Sequence, residues 1–219
     1  MLGEDIHQLE STGELVFREK IFYNYVLVKK SALGNLRELG RRVLNKELDV
    51  ITAFLIFLCA IFYIGKGSTR RDLDHCRLGI RILCHDPHRP VREKGKLHVI
   101  MNEMLFREGV VIVSGFSDSS HYHAHSREAA MIDYCGLRKL TNEQKGTYYG
   151  DAVNWSSLKQ RNFGLLALFT IFRNFLNDGS TGLKIDSLLH NPPRERRDPA
   201  DCLHEDVCCV DCKKLMTNP

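Results

Sequence analysis

The sequence predicts a small α/β (α+β) domain, and three observations carry that reading. Segments rich in aromatic and β-branched residues occur at three places, Ile21–Lys30, Ala60–Gly65 and Val110–Phe116. Longer segments with apolar residues at helical spacing lie between and after them. The 219 residues carry no internal repeat and suit one sizeable domain with appendages. The resulting order is strand, helix, strand, helix, helix, strand, helix, helix, too few strands for a doubly wound fold.

Taken in order, residues 1–19 form an N-terminal extension, acidic and polar where a secretory signal would be apolar. "IFYNYVLVKK" (Ile21–Lys30) reads as the first strand, with Tyr23 and Tyr25 on one face. Asn35–Cys59 has helical spacing at Leu36, Leu39, Val43, Leu44 and Leu48, broken near Asn45. "AIFYIG" (Ala60–Gly65) is a central strand ended by glycines, and Arg70–Cys84 a helix with Ser68 or Thr69 as cap. A proline-containing loop, Asp86–Arg92, leads to a helix over Lys96–Gly109, stopped by that glycine. Val110–Phe116 is a buried strand. A polar loop then reaches Ser126, the expected N-cap of a helix over Arg127–Leu137. Ser157–Asn177 is a strongly apolar helix with Leu165, Leu168, Phe169 and Phe172 on one stripe. The domain is expected over residues 20–180, with a polar, cysteine-rich tail over 181–219.

Composition narrows the function classes. Apolar content of 43% and charged content of 26% are ordinary for a globular chain, and the formal charge is only +4. Between Lys66 and Lys96, however, nine Lys/Arg face four Asp/Glu, a basic stretch able to attract a polyanion. The fourteen residues Ile51–Ile64 are nearly all apolar but fall short of the roughly 20 that a spanning helix needs, so a buried helix running into a strand is expected. The eight cysteines lack the spacing of a secreted disulfide framework and favour a reducing, intracellular compartment. Cys59, inside the apolar run, is expected to pack as a small hydrophobe.

The "IGKGST" run is not a phosphate-binding P-loop, because Ala60 stands where that motif needs its first glycine and Gly67, not Ser or Thr, follows Lys66. A different resemblance fits. "YNYVLV" and "FYIGKGSTRRDLDH", together with "HSREAAMIDYCGLRKLTNEQKGTYYG" (His125–Gly150), resemble the signatures of the GIY-YIG nuclease superfamily. Within it, the chain is similar to the nuclease domain of metazoan ankyrin-repeat and LEM-domain endonucleases, from about Phe22 to Phe175. The resemblance implies a small antiparallel three-stranded sheet flanked by helices, with an inserted helical segment between the tyrosine signatures. It also implies hydrolysis of DNA phosphodiesters with Mg²⁺ (or Mn²⁺), on branched or distorted DNA, in genome maintenance, in nucleus or cytoplasm.

Position by position, the resemblance assigns Tyr25 and Tyr63 as the signature tyrosines, Arg71 as the signature arginine, His75 as the histidine one turn later and Glu128 as the metal-binding glutamate. Lys66 joins the catalytic set, and Lys66, Arg70, Arg71, Arg77 and Asn142 are expected to hold DNA or phosphate. The first signature reads "YNY" rather than "GIY", which leaves Tyr23 as a competitor to Tyr25, and either Arg70 or Arg71 faces the site. The chemistry suits these residue types. A lone carboxylate can hold Mg²⁺ with water and phosphate completing its shell. An arginine offers a planar fork to phosphate oxygens. A tyrosine beside a cation, Lys66 or Arg71, can take the proton of an attacking water. Taken singly, each has a plainer role: Tyr63 as a core residue, Glu128 as a charge complementing a helix start.

Two clusters remain. "HYHAH" sets His121, His123 and His125 at alternate positions, so a strand would present three imidazoles together; a polar loop is expected instead. Cys202, His204, Cys208 and Cys212 could hold a tail Zn²⁺, although the spacing lacks two separated knuckles. Against the nuclease stand a catalytically silent DNA-binding module with the same fold, and a membrane-associated protein anchored by Ile51–Ile64.

Overall fold

The computed structural model describes residues 21–33, 36–68, 71–86, 88–106 and 109–178. The N-terminal extension, Arg70 and the tail with its Cys202, His204, Cys208 and Cys212 cluster lie outside the described residues, as does the side chain of Arg71.

Strand β1 (Phe22–Lys29) is the middle strand of a three-stranded antiparallel sheet, between β2 (Ile61–Ser68) and β3 (Val110–Ser119). Its composition explains the central place: Tyr25, Val26, Leu27 and Val28 are all buried, so both faces are covered. Between β1 and β2 the chain inserts three helices, α1 (Lys30–Leu33), α2 (Leu36–Leu44) and α3 (Val50–Ala60). The break expected near Asn45 falls between α2 and α3. Asp49 caps α3, its Oδ1 accepting from the backbone N–H groups of Ile51 and Thr52, both at 2.9 Å.

The apolar run therefore divides into α3 and β2. Ala53, Phe54, Phe57 and Ala60 turn inward, and Ile51 and Leu55 stay exposed. Among the described residues, no helix is long and apolar enough to cross a membrane. Cys59 corrects one expectation: it lies on the outer side of α3 and is exposed, whereas among the described residues Cys76 is the buried cysteine.

After β2 come α4 (Arg71–His85) and α5 (Lys96–Phe106). Beyond α5, Gly109 adopts a φ of 108° and donates its N–H to the Glu103 carbonyl at 3.0 Å, the terminating role expected of it. Strand β3 leads directly into α6 (His121–Cys135), and after two short 3₁₀ turns α7 (Ser157–Asp178) closes the fold.

Two apolar layers sandwich the sheet. On one face, Val26, Val28, Ile64, Val111 and Val113 pack against α3, α6 and α7. Phe54, Phe57, Phe172 and Phe175 form an aromatic seam between α3 and α7, with ring centroids 5.3–5.5 Å apart between the two helices. The stripe expected at Leu165, Leu168, Phe169 and Phe172 belongs to this layer. On the other face, Tyr25, Leu27 and Phe62 pack against Cys76 and Ile80 of α4 and Ile100 and Met104 of α5. Helices α6 and α7 pass so close that a Cβ on Gly164 would come within 2.0 Å of the Ala130 carbonyl oxygen.

Candidate active site

Side chains alternate along a strand, so Tyr63 and Lys66, an odd number of positions apart, face opposite sides of β2. The register confirms this. Leu27 pairs with Tyr63 and Tyr25 with Gly65 on the α4–α5 side, and Asn24 pairs with Lys66 on the α6 side. The residues expected to act together form two groups, one on each face of the sheet.

On the α4–α5 face, Tyr23, Tyr25 and Tyr63 make a tyrosine row, with centroids 5.9 Å apart for the first pair and 6.1 Å for the second. Tyr25 is only 1% exposed, while Tyr23 and Tyr63 are half-buried. The Tyr25 ring lies over Gly65, where a Cβ would come within 2.6 Å of the ring. That close approach explains the glycine of "YIG": it makes room for the buried tyrosine. His75 comes edge-on to Tyr63 at 5.9 Å, one turn into α4. Arg71 and His75 both belong to α4, four positions apart as expected.

Lys96 is the residue that sequence reading counted only as bulk charge. Its Nζ lies 4.1 Å from the Tyr63 ring centroid and 3.1 Å from His75 Nε2. The cation set against Tyr63 is thus Lys96, at the start of α5, and Lys66 serves the other face. No local cue links Lys96 to Tyr63, because 33 positions separate them; only the docking of α5 brings them together.

On the α6 face, Lys66 Nζ lies 3.3 Å from Glu128 Oε2, with the two side chains 22% and 14% exposed. Glu128 sits two turns into α6, not at its start, so the helix-dipole role does not apply to it. The helix begins at His121, capped by Ser120, whose Oγ accepts from the His123 N–H at 3.3 Å. This overturns both the polar loop expected over "HYHAH" and the cap expected at Ser126. Ser126 is inside the helix, and its Oγ accepts from the Tyr149 N–H at 2.9 Å. Helical spacing puts His121, Ala124, His125 and Glu128 on one face of α6.

His121 Nε2 and His125 Nε2 are 2.9 Å apart. The His125 imidazole is pushed down to about 4, first by burial, then by the nearby positive charges of Lys66 and His121. Phe22, Tyr122 and Tyr149 crowd round this pair, Tyr149 with its ring 5.1 Å from His125. Asn24 donates from Nδ2 to the Ala124 carbonyl at 2.8 Å, and its buried Oδ1 has no hydrogen-bond partner among the described residues.

Asn142 reaches β2 from outside. Its Nδ2 donates to the Ile64 carbonyl at 2.7 Å, and its Oδ1 accepts from the Ile64 N–H at 3.0 Å. Thr141 adds two bonds to the Phe62 carbonyl, from its N–H at 2.7 Å and its Oγ1 at 3.0 Å. The "LTN" run therefore fixes the edge of β2 beside both tyrosine and lysine. Arg77 lies on α4 in an ion pair with Asp74 at 3.6 Å. Arg127, next to Glu128, donates to Ser119 Oγ and stacks 4.3 Å over Phe116, and burial lowers its proton affinity.

The chain matches the family model described as the LEM-3-like GIY-YIG domain over residues 22–189. It is similar to ankyrin repeat and LEM domain-containing protein 1 of Mus musculus, 32% identical over 139 residues, covering 63% of this chain and 25% of that protein. The Homo sapiens protein of the same name is 28% identical over 127 residues, covering 58% and 21%. The Caenorhabditis elegans homolog is 30% identical over 135 residues, covering 60% and 18%. The matches span a quarter or less of the length of these relatives. No solved structure matches the chain significantly.

Proposed function

We propose, for a chain that belongs to the LEM-3-like GIY-YIG family, that it is a DNA endonuclease hydrolysing phosphodiester bonds with a divalent metal. The observation that carries this reading is the Lys66–Glu128 pair beside the glycine-flanked end of β2, with Tyr63, His75 and Lys96 clustered across the same strand. A phosphodiester needs positive charge on its phosphoryl oxygens and a group to handle the proton of the attacking water.

The donor set fits a magnesium-like ion. Among the described residues no three His, Cys, Asp or Glu side chains gather to hold a metal, so the protein would contribute one carboxylate, Glu128, with Mn²⁺ an equivalent occupant. Mg²⁺ keeps several waters and accepts such a site readily. When bound, the ion would neutralise charge on the phosphate and activate water. Lys66, already beside Glu128, would then turn its ammonium toward the substrate phosphate. On the other face, Lys96 and His75 would flank Tyr63, whose hydroxyl would relay a proton by passing on its own as it accepts the water's, with Arg71 at the start of α4 reaching a phosphoryl oxygen. Tyr25, buried over Gly65, acts by positioning β1 against β2. Asn142 acts likewise through Ile64.

The family resemblance supports branched or distorted DNA as substrate, and the nucleus or cytoplasm as its setting. The test is cleavage of labelled branched and linear DNA in Mg²⁺ and in EDTA. Wild type should cut branched DNA only with metal, and Glu128→Gln and Arg71→Ala should each cut at least about 100-fold more slowly. Undiminished cutting by Glu128→Gln would refute the metal role, and tight DNA binding with no cutting by wild type would identify a silent binding module.

A further inference from the structure

We propose that His121 and His125 form a two-imidazole site for a late first-row transition-metal ion, such as Zn²⁺, Ni²⁺ or Co²⁺, separate from the carboxylate site at Glu128. The two residues are one turn apart at the start of α6, and their Nε2 atoms approach to 2.9 Å. Two imidazole nitrogens, each about 2.1 Å from one metal, are about 3.0 Å apart at right angles around an octahedral Ni²⁺ or Co²⁺ and about 3.4 Å apart around a tetrahedral Zn²⁺. The pair therefore already has the bite of a chelate. In the metal-free chain the two nitrogens share a hydrogen bond; a metal takes its place when both rings carry their proton on Nδ1 and the two Nε2 lone pairs turn to one point.

The surroundings hold that geometry. The ring centroids are 4.2 Å apart and inclined at 61°; Phe22 comes edge-on to His121 at 5.0 Å, and Tyr149 edge-on to His125 at 5.1 Å. Both imidazoles are half-buried, so the cation would lose part of its water shell yet keep open positions. A phosphate oxygen or water can fill those positions.

Charge then selects the metal. Lys66 and the positive end of α6 both oppose a cation here, and the Lys66–Glu128 ion pair offsets only the first. A hard, oxygen-seeking ion such as Mg²⁺ gains too little from nitrogen to overcome this, whereas ions with high affinity for imidazole do.

The experiment uses the full chain with Cys202, Cys208, Cys209 and Cys212 changed to serine, so that tail thiolates do not compete for metal. Titration with NiCl₂ or ZnCl₂ is followed by calorimetry and by the ¹⁵N signals of the histidine rings. Saturable binding of one ion is expected, with the His121 and His125 Nε2 signals shifted or broadened. His121→Ala and His125→Ala should each weaken it at least about tenfold, while His123→Ala, exposed on the same helix, should not. The wild-type ring signals decide the matter even where a variant folds poorly. No saturable binding below about 1 mM would overturn the site, as would unmoved signals from both rings. Binding lost in Glu128→Gln but kept in both histidine variants would also overturn it, by assigning the ion to the carboxylate. Nuclease activity enters none of these readouts, so the proposal and the endonuclease reading fail separately.

Discussion

At the scale of single residues, His125 ties stability to pH. Its proton affinity falls from an ordinary value near 6.5 to about 4, because burial and the positive charges of Lys66 and His121 all disfavour the imidazolium. The unfolded chain therefore binds this proton at a higher pH than the folded one. The contribution of His125 is fully present above about 6.5 and is lost progressively as pH falls to about 4. Melting temperatures of metal-free protein should drop over that window, and His125→Gln should flatten the drop. An equally steep drop in the variant would assign the effect to other groups. The residue itself was visible in the sequence, but its state was not, since it depends on Lys66, 59 positions away, being folded against α6.

At the scale of elements, Gly164 sets how closely α6 and α7 can pack. An added methyl group would collide with the Ala130 carbonyl, a backbone atom that cannot swing aside. Gly164→Ala should therefore cost about 3 kcal/mol, read as a lower urea midpoint. Gly40, in the middle of α2, meets only the Leu176 carbonyl oxygen at 3.9 Å, so Gly40→Ala should stabilise by about 0.5–1 kcal/mol. Equal effects at the two sites would refute the packing argument. Most elements were legible because strand and helix periods differ, and the three β-branched, aromatic runs became the three strands. The start of α6 was not. Ser126 is a residue type that caps helices, but here its hydroxyl is engaged by Tyr149 from a segment 23 positions later. The cap is Ser120 instead. Cys59 failed for a related reason: α3 is apolar nearly all round, so its sequence does not say which side faces the core.

At the scale of the whole molecule, one strand carries two half-sites. Tyr63 looks toward α4 and α5, Lys66 toward α6, and the sheet lies between them. If both halves serve one reaction, removing either should slow it about as much as removing both, because groups that act as a unit are not additive. For folding, the halves contact different layers and should add. His75→Ala, Lys66→Ala and the double variant should therefore show non-additive loss of cleavage but additive change in unfolding free energy. Additive losses in cleavage would mean the faces act independently. The residue types of the site could be picked out from the sequence, because the tyrosine, lysine, histidine and glutamate lie within recognisable runs. Their division between two faces required the register, and Lys96 required the docked position of α5.

The clasp of Thr141 and Asn142 on β2 has a meaning for protein at high concentration. An outer strand with bare peptide groups is a template on which a second chain can add a strand of its own. Here the groups of Phe62 and Ile64 are already taken by the chain's own later segment. A variant such as Asn142→Ala would bare both peptide groups of Ile64, and self-association there would remove protein from solution before any loss of chemistry was measured.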